Sequence, residues 1–267
     1  MGRFHRHDDG TVHTHEHDDH PHTHDHGDHG DHGDHGDHSG YHTGSQRIDV
    51  LEAIFAENDV RADSNRHAFE HNGVRAINLM SSPGSGKTTV LQATLDELAG
   101  DIAVGVIEGD IATDLDAAKL GGRGAQISLL NTGNGFGGEC HLDAPMVNRA
   151  LQGLDLALLD LVIIENVGNL VCPAEFDVGE HAKAMVYSVT EGDDKPLKYP
   201  VMFRAVDVVL LNKIDLVPYL EVDVDSYIAR VREVNATAAI LPISARTGAG
   251  MADWFGWLRR FMTGSAT

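Results

Sequence analysis

The stretch 74–88 reads VRAINLMSSPGSGKT and decides the fold. An apolar, strand-like run leads into a loop of small residues that ends in Gly-Lys-Thr, and a helical pattern of apolar residues follows. A strand, such a loop and a helix in this order form a P-loop, in which backbone N–H groups and the helix N-terminus bind phosphate oxygens. Ser81 occupies the position at which the usual motif has glycine.

The loop residues have expected roles in nucleotide binding. Small residues let the backbone approach the phosphates, Lys87 is expected to reach the β and γ phosphates, and Thr88 is expected to be a ligand of Mg²⁺. The residues expected to contact the phosphates are Pro83, Gly84, Ser85, Gly86, Lys87, Thr88 and Thr89.

Apolar runs alternate with helical patterns along the rest of the chain. Near-continuous apolar strands are typical of a mostly parallel sheet covered by helices on both faces, so we predict an α/β fold of the P-loop NTPase class. The predicted strands are 74–80, 102–108, 126–130, 158–164, 183–190, 206–211 and 238–243. The predicted helices lie near 87–99, 113–120, 144–154, 222–235 and 251–262.

Two acidic residues follow apolar strands, where α/β sheets bind ligands. These are Asp110 and Glu165, and Gly168 gives Glu-x-x-Gly the spacing of an Asp-x-x-Gly switch, whose glycine N–H senses the γ-phosphate. We therefore predict a catalytic set of Lys87, Asp110, Glu165 and Gly168, with Thr88 and the two carboxylates holding Mg²⁺. Taken alone, each carboxylate is also typical of a strand-end cap.

The motif Asn212-Lys-Ile-Asp215 ends a later strand and favours guanine. Asp215 is expected to accept hydrogen bonds from guanine N1 and the 2-amino group, whereas adenine would leave a buried carboxylate unpaired. Lys213 is expected to lie along the base, and the backbone of Ser244 and Ala245 to contact the guanine oxygen. The sequence therefore predicts GTP and GDP as ligands rather than ATP.

Both cysteines of the chain are near motifs that carry chemistry. Cys140 and His141 are adjacent, and Cys172 lies seven residues after Glu165. Thiolate and imidazole bind borderline-soft ions, so these residues are predicted to hold Ni²⁺ or Zn²⁺, with a two-fold homodimer supplying the remaining ligands. Since Cys172 follows the switch, nucleotide and metal binding are expected to be coupled. The alternative is that both cysteines are ordinary buried apolar residues.

The N-terminal region has a different composition from the rest. Fourteen of the 18 histidines lie within the first 42 residues, and Gly-Asp-His repeats four times over 27–38. We predict a disordered metal-binding tail over 1–45 and a GTPase domain over 46–267, which begins with an amphipathic helix carrying Ile48, Leu51, Ile54 and Phe55. The tail histidines expected to bind Ni²⁺ or Zn²⁺ include His24, His26, His29, His32, His35 and His38.

The overall composition excludes several classes of protein. The chain of 267 residues has 41 acidic and 20 basic residues, a formal net charge of -21, which disfavours nucleic-acid binding. No apolar run reaches the roughly 20 residues of a membrane span, and no secretory signal is recognisable. We therefore expect a cytoplasmic protein that binds neither nucleic acid nor membrane.

These residues together resemble the HypB family, the nickel-incorporation GTPases of nickel–iron hydrogenase maturation. The matching stretches are 81–89, 131–133, 140–143, 165–173, 188–200 and 212–215. The resemblance implies a SIMIBI-type G domain that dimerises with nucleotide, binds nickel or zinc at the interface through Cys140, His141 and Cys172, and contacts nucleotide through Lys195. It also implies two partners, a HypA-type nickel chaperone and the hydrogenase large subunit.

Other functions remain open at this stage. Some members of the family have an N-terminal cysteine cluster, whereas this tail has none, which favours storage of several ions over one tight site. The alternatives are a urease-type nickel GTPase and a nickel or zinc storage protein with a vestigial GTPase. Slow turnover is expected because no residue clearly orients the attacking water, and Arg123 is a candidate arginine finger only by its charge.

Overall fold

The structure, a computed structural model, describes residues 5–6, 12–13, 43–109, 122–130 and 141–264. The chain divides into two units, Met1–His42 and Thr43–Thr267. In the first unit, two short strands, β1 (His5–Arg6) and β2 (Val12–His13), pair antiparallel. Most of the tail predicted over 1–45 lies outside the described residues, as do its six named histidines, the helix predicted at 113–120, Asp110 and Cys140.

In the second unit, the described residues form one parallel sheet of seven strands. The strands are β3 (Arg75–Ser81), β4 (Val104–Glu108), β5 (Gln126–Leu129), β6 (Leu161–Gly168), β7 (Ala182–Ser188), β8 (Val208–Asn212) and β9 (Ala239–Pro242). Their order is β5-β4-β6-β3-β7-β8-β9. The strand that precedes the P-loop is therefore central, between β6 and β7, and all carboxyl ends meet at one edge, where such sheets bind ligands.

Helices cover both faces of this sheet. The described α-helices are α1 (Thr43–His71), α2 (Lys87–Leu98), α3 (Ala144–Leu151), α4 (Cys172–Glu175), α5 (Lys195–Lys198), α6 (Pro200–Arg204), α7 (Val224–Val234) and α8 (Met251–Met262). On one face, alternate residues of β3 pack with α2 and α8, as in the buried cluster of Ile77, Leu91 and Trp254. On the other face, α1 and α3 pack against β6 through Phe69 and Val147.

The predicted architecture is confirmed. Each predicted strand overlaps an observed one, and the helices predicted near 87–99, 144–154, 222–235 and 251–262 correspond to α2, α3, α7 and α8. Near-continuous burial along β4 and β8 reflects a sheet covered on both faces. No helix among the described residues is long and apolar enough to cross a membrane.

The packed face of α1 differs from the prediction. Ile54 and Phe55, placed on the packing stripe, are 49% and 38% exposed. The buried stripe instead contains Asn58, Asn65 and Phe69. The two amides are buried because they are hydrogen-bonded: Asn65 donates to the carbonyls of residues 144 and 178, and Asn58 accepts from the backbone N–H of residue 144. An apolar pattern misses a helix docked through polar side chains.

His181, just before β7, gives stability a predictable pH dependence. Its Nδ1 accepts a hydrogen bond from Ala76 N at 2.9 Å, and burial, with the charge of Arg75, lowers the pKa of His181 below 6.5. Below about pH 6.5 the unfolded chain binds a proton here that the folded chain does not, so folding weakens as pH falls. We expect the free energy of unfolding to fall less between pH 7 and pH 5 in His181→Asn than in the wild type, as measured by urea unfolding. An equal fall in the free energy of unfolding of the two proteins between pH 7 and pH 5 would contradict the lowered pKa of His181.

Candidate nucleotide and metal sites

The P-loop has the geometry that its sequence predicts. Gly86 has φ +98°, and a Cβ there would lie 2.6 Å from Asn212 Nδ2, so the position requires glycine for both its conformation and its space. Lys87 begins α2 and is only 4% exposed. The loop backbone is braced by the last side chain of β8 and the one after it: Asn212 donates to Ser85 O at 2.9 Å, and Lys213 Nζ donates to Gly84 O at 2.6 Å. The two sequence motifs therefore form one site.

Glu165 faces the start of α2. Its Oε1 accepts a hydrogen bond from Thr88 Oγ1 at 2.8 Å and lies 3.4 Å from Lys87 Nζ. The carboxylate is fully buried, and its Oε2 has no hydrogen-bond partner among the described residues. A buried carboxylate oxygen without a partner, next to a threonine hydroxyl, is a donor set suited to Mg²⁺. The predicted pairing of Thr88 and Glu165 thus fits this ion.

Gly168 is the last residue of β6 and lies against the P-loop. A Cβ at this position would be 3.4 Å from Pro83 Cα. The backbone of the switch-like segment therefore contacts the loop expected to hold phosphate.

The structure adds Glu108 to the site. This residue ends β4, is 2% exposed and is the register partner of Glu165 on the neighbouring strand. The sequence predicts Asp110 instead, two residues later, as the acidic residue that follows this strand. The signal for Glu108 is a carboxylate at the end of an apolar run, the same signal that identified Glu165.

A cavity lies beside the P-loop, where the sequence predicts the guanine pocket. This cavity of about 290 Å³ is lined by residues that include Thr89, Lys213, Asp215, Leu216 and Ala245. Lys213 has φ +66°, so its backbone turns sharply and its side chain runs back to the P-loop. Leu216 was not predicted; it supplies an apolar wall.

Hydrogen bonds hold the pocket's polar residues in place. Ser244 Oγ donates to Asp215 Oδ1 at 2.6 Å, and the backbone N–H of Ala245 donates to Asn212 Oδ1 at 3.1 Å. Ser244 therefore orients the carboxylate that is expected to read the base. The contact of this turn with the guanine oxygen, predicted for its backbone, stays a prediction.

Glu191 supports the P-loop, a role that the sequence did not predict for it. Its carboxylate accepts a hydrogen bond from Ser82 of the P-loop and from the backbone N–H of Ser188, which closes a capping box. Lys195, predicted to contact nucleotide, lies 3.8 Å from Glu191 and above the ring of Tyr199. Within its own chain, Lys195 thus reaches the P-loop only through Glu191.

The structure places one predicted soft-metal ligand, His141, against an aromatic ring that follows the helix beginning at a second, Cys172. His141 stacks on Phe176 with centroids 4.2 Å apart, and Phe176 directly follows α4, the short helix that begins at Cys172. Phe176 also stacks on Phe55 of α1 at 5.2 Å. Cys172 is partly exposed. No group of three or more metal-binding side chains forms within 43–109, 122–130 and 141–264, but the third predicted ligand, Cys140, lies outside them.

Arg123 does not lie where an arginine finger would act in its own chain. Its guanidinium forms an ion pair with Asp96, near the C-terminal end of α2. The P-loop is at the other end of that helix. This position favours a solvated role for Arg123 over a role at the phosphates.

Comparisons with known proteins agree with this geometry. The sequence model for the "CobW/HypB/UreG, nucleotide-binding domain" family matches residues 75–242. Hydrogenase maturation factor HypB of Azotobacter chroococcum mcd 1 is 50% identical over 219 residues, which cover 81% of this chain and 70% of that protein. HypB of Escherichia coli K12 is 50% identical over 211 residues, 79% of this chain and 70% of that protein.

Two solved structures are similar as well. HypB from Archaeoglobus fulgidus superposes with a TM-score of 0.72 at 36% identity, covering 78% of this chain and 99% of that one. HypB from Helicobacter pylori, solved in complex with nickel, superposes with a TM-score of 0.73 at 34% identity, covering 79% of this chain and 97% of that one. The chain therefore belongs to the HypB family of hydrogenase maturation factors, which shares its nucleotide-binding domain with CobW and UreG.

Proposed function

We propose that this protein is a GTP-hydrolysing nickel metallochaperone, which binds Ni²⁺ or Zn²⁺ at a GTP-dependent dimer interface and helps to insert nickel into the hydrogenase large subunit. One observation carries the proposal: the strand that places Glu165 against Lys87 and Thr88 continues within seven residues to Cys172. A change at the nucleotide is therefore transmitted along a short piece of chain to a metal-binding thiol. The nickel complex of the Helicobacter pylori relative supports the choice of metal.

The proposed role of each residue at the nucleotide follows from the groups that it offers for hydrogen bonding or metal binding. Lys87 and the P-loop N–H groups bind the β and γ phosphates and stabilise the charge that develops during hydrolysis. Thr88 and Glu165, with Asp110, would hold Mg²⁺, which neutralises charge on the phosphate oxygens. The Gly168 N–H reports on the γ-phosphate. Hydrolysis is slow, since Arg123 is paired with Asp96 rather than placed at the phosphates.

The proposed partners and tail belong to the same function. Two copies of Cys140, His141 and Cys172 complete one site across the homodimer, and Lys195 approaches the nucleotide of the other copy. A HypA-type chaperone exchanges metal with this site. The domain over 46–267 performs these steps, while the tail over 1–45 stores several ions through its histidines. We place the protein in the cytoplasm.

The metal site is tested by titrating Ni²⁺ into the full-length protein with saturating GDP or a non-hydrolysable GTP analogue. Nickel–thiolate charge-transfer absorbance reports on the cysteine site alone, because imidazoles of the tail do not produce it. We expect this band in the wild type, with an affinity that differs between the nucleotides, and its loss in Cys140→Ala and Cys172→Ala. His67→Ala, which removes an exposed histidine elsewhere, is the control and keeps the band. A wild type without the band under either nucleotide would refute the proposed metal site.

A further inference from the structure

We propose that Asn166 is a positioning residue that couples the phosphate-binding lysine to the segment carrying His141. The inference rests on the proposed function, in that it treats this segment as part of the metal site. Asn166 follows Glu165 in β6, is fully buried and has no role in the predicted nucleotide or metal contacts.

Asn166 is hydrogen-bonded both to the P-loop lysine and to the segment that carries His141. Its backbone oxygen accepts a hydrogen bond from Lys87 Nζ. Its side-chain Oδ1 accepts from the backbone N–H of Leu142 at 2.9 Å and from that of Val167 at 2.9 Å. One residue thus joins the P-loop lysine to the residue next to His141, and both connections are buried.

The amide of Asn166 is held in a single orientation. Its Nδ2 donates to Asn78 Oδ1 at 3.2 Å, and Asn78 Nδ2 lies 3.4 Å from Glu180 Oε1. Glu180 Oε2 in turn accepts from the backbone N–H of Val178 at 2.8 Å. Oδ1 accepts from two N–H groups and Nδ2 donates to one oxygen. Turning the amide over would place a donor against donors and an acceptor against an acceptor, so the side chain keeps this orientation.

The receiving segment is rigid enough to transmit a displacement. The Leu142 side chain is fully buried, and a Cβ on Gly109, at the end of β4, would lie 2.5 Å from it. Asp143 caps α3 by accepting from the backbone N–H of Met146 at 2.7 Å. A shift of Leu142 N–H therefore moves the backbone of His141 instead of being absorbed by a loose loop.

The coupling follows from competition for Lys87. In this structure the lysine ammonium is shared between Asn166 O and the carboxylate of Glu165. Phosphate oxygens draw donor hydrogen bonds from the same ammonium, so the nucleotide changes how firmly Lys87 holds the backbone of Asn166. The Asn166 side chain passes that change to Leu142 N–H, and binding of metal at His141 acts in the reverse direction, as linkage requires.

The test compares nickel affinity in two nucleotide states. Nickel–thiolate absorbance is titrated on full-length protein at saturating GDP and at saturating GTP analogue, and the ratio of the two dissociation constants measures the coupling. Couplings between sites are typically about 5- to 150-fold. We expect Asn166→Ala to bring the ratio clearly closer to 1 than in the wild type, because the variant keeps the backbone acceptor for Lys87 and the chain to Cys172 but loses the bridge to Leu142.

The matched control is Asn235→Ala. Asn235 is also buried and also bridges backbone groups, donating to Phe203 O and Val206 O and accepting from the N–H of Ala238, but it lies far from both sites in the hydrogen-bond network. It tests whether losing any buried asparagine bridge removes the coupling. We expect the ratio in this variant to match the wild type.

The outcomes separate the two proposals. A wild-type ratio of 1, or the lack of a nickel–thiolate band, overturns the proposed function and this inference with it. A wild-type ratio that differs from 1 and is unchanged in Asn166→Ala overturns the inference alone. If Asn166→Ala fails to fold, Asn78→Ala replaces it, since it removes the acceptor that orients the Asn166 amide; a reduced ratio and faster hydrogen exchange at the Leu142 amide support the inference, and an unchanged ratio overturns it.

Discussion

Asp215→Asn is expected to weaken GDP binding by about 10³-fold, because it removes the carboxylate that accepts from guanine N1 and the 2-amino group. Buried donors that lose their acceptor cost much of the binding energy. Ser244 Oγ donates to Oδ1 of this residue at 2.6 Å, so the new amide keeps its oxygen toward Ser244 and turns its nitrogen to the base. There the nitrogen meets the guanine 2-amino group, donor against donor. Isothermal titration with GDP measures the loss.

The same substitution should favour xanthine. Xanthosine diphosphate carries a carbonyl in place of the 2-amino group and accepts from the new amide, so we expect its affinity to rise as that of GDP falls. Asp223→Asn removes the same charge from an exposed helix cap and leaves GDP binding unchanged. Undiminished GDP affinity in Asp215→Asn would exclude this residue from base recognition.

Lys87→Ala is expected to reduce GTP turnover by about 10²- to 10³-fold, the loss that follows removal of one preorganised donor from a transition state. The nucleotide-free protein should also lose about 3 kcal/mol of stability, because the substitution leaves the fully buried Glu165 without its cation. Phosphate release and urea unfolding measure the two effects.

Lys198→Ala is the matched control for stability. The Lys198–Asp194 pair is closer, at 2.5 Å, but its side chains are 63% and 53% exposed, whereas those of Lys87 and Glu165 are 4% and 0% exposed. Water screens the exposed pair, so we expect its removal to leave the unfolding midpoint unchanged. Equal midpoints for Lys87→Ala and the wild type would show that the buried pair does not stabilise the fold.

The sequence alone determined the class of fold and most of the nucleotide site. The P-loop, the Asn-Lys-x-Asp motif and the apolar strands are local patterns, in which the residues that act together are close in the chain. A local pattern predicts its own structure because backbone conformation and solvent exposure repeat over a few residues. Glu165 and Asp215 were found in this way, and the structure places Glu165 within β6, beside Lys87 and Thr88, and Asp215 three residues after β8.

Contacts between distant residues were decided only by the tertiary structure. Ser82 meets Glu191 across 109 residues, and Asn166 meets Leu142 across 24. The packed stripe of α1 was likewise set by amides that find backbone partners on α3 and before β7, and not by its apolar residues. A polar side chain becomes a buried support only when folding brings a complementary group to it, and no pattern within one segment contains that information.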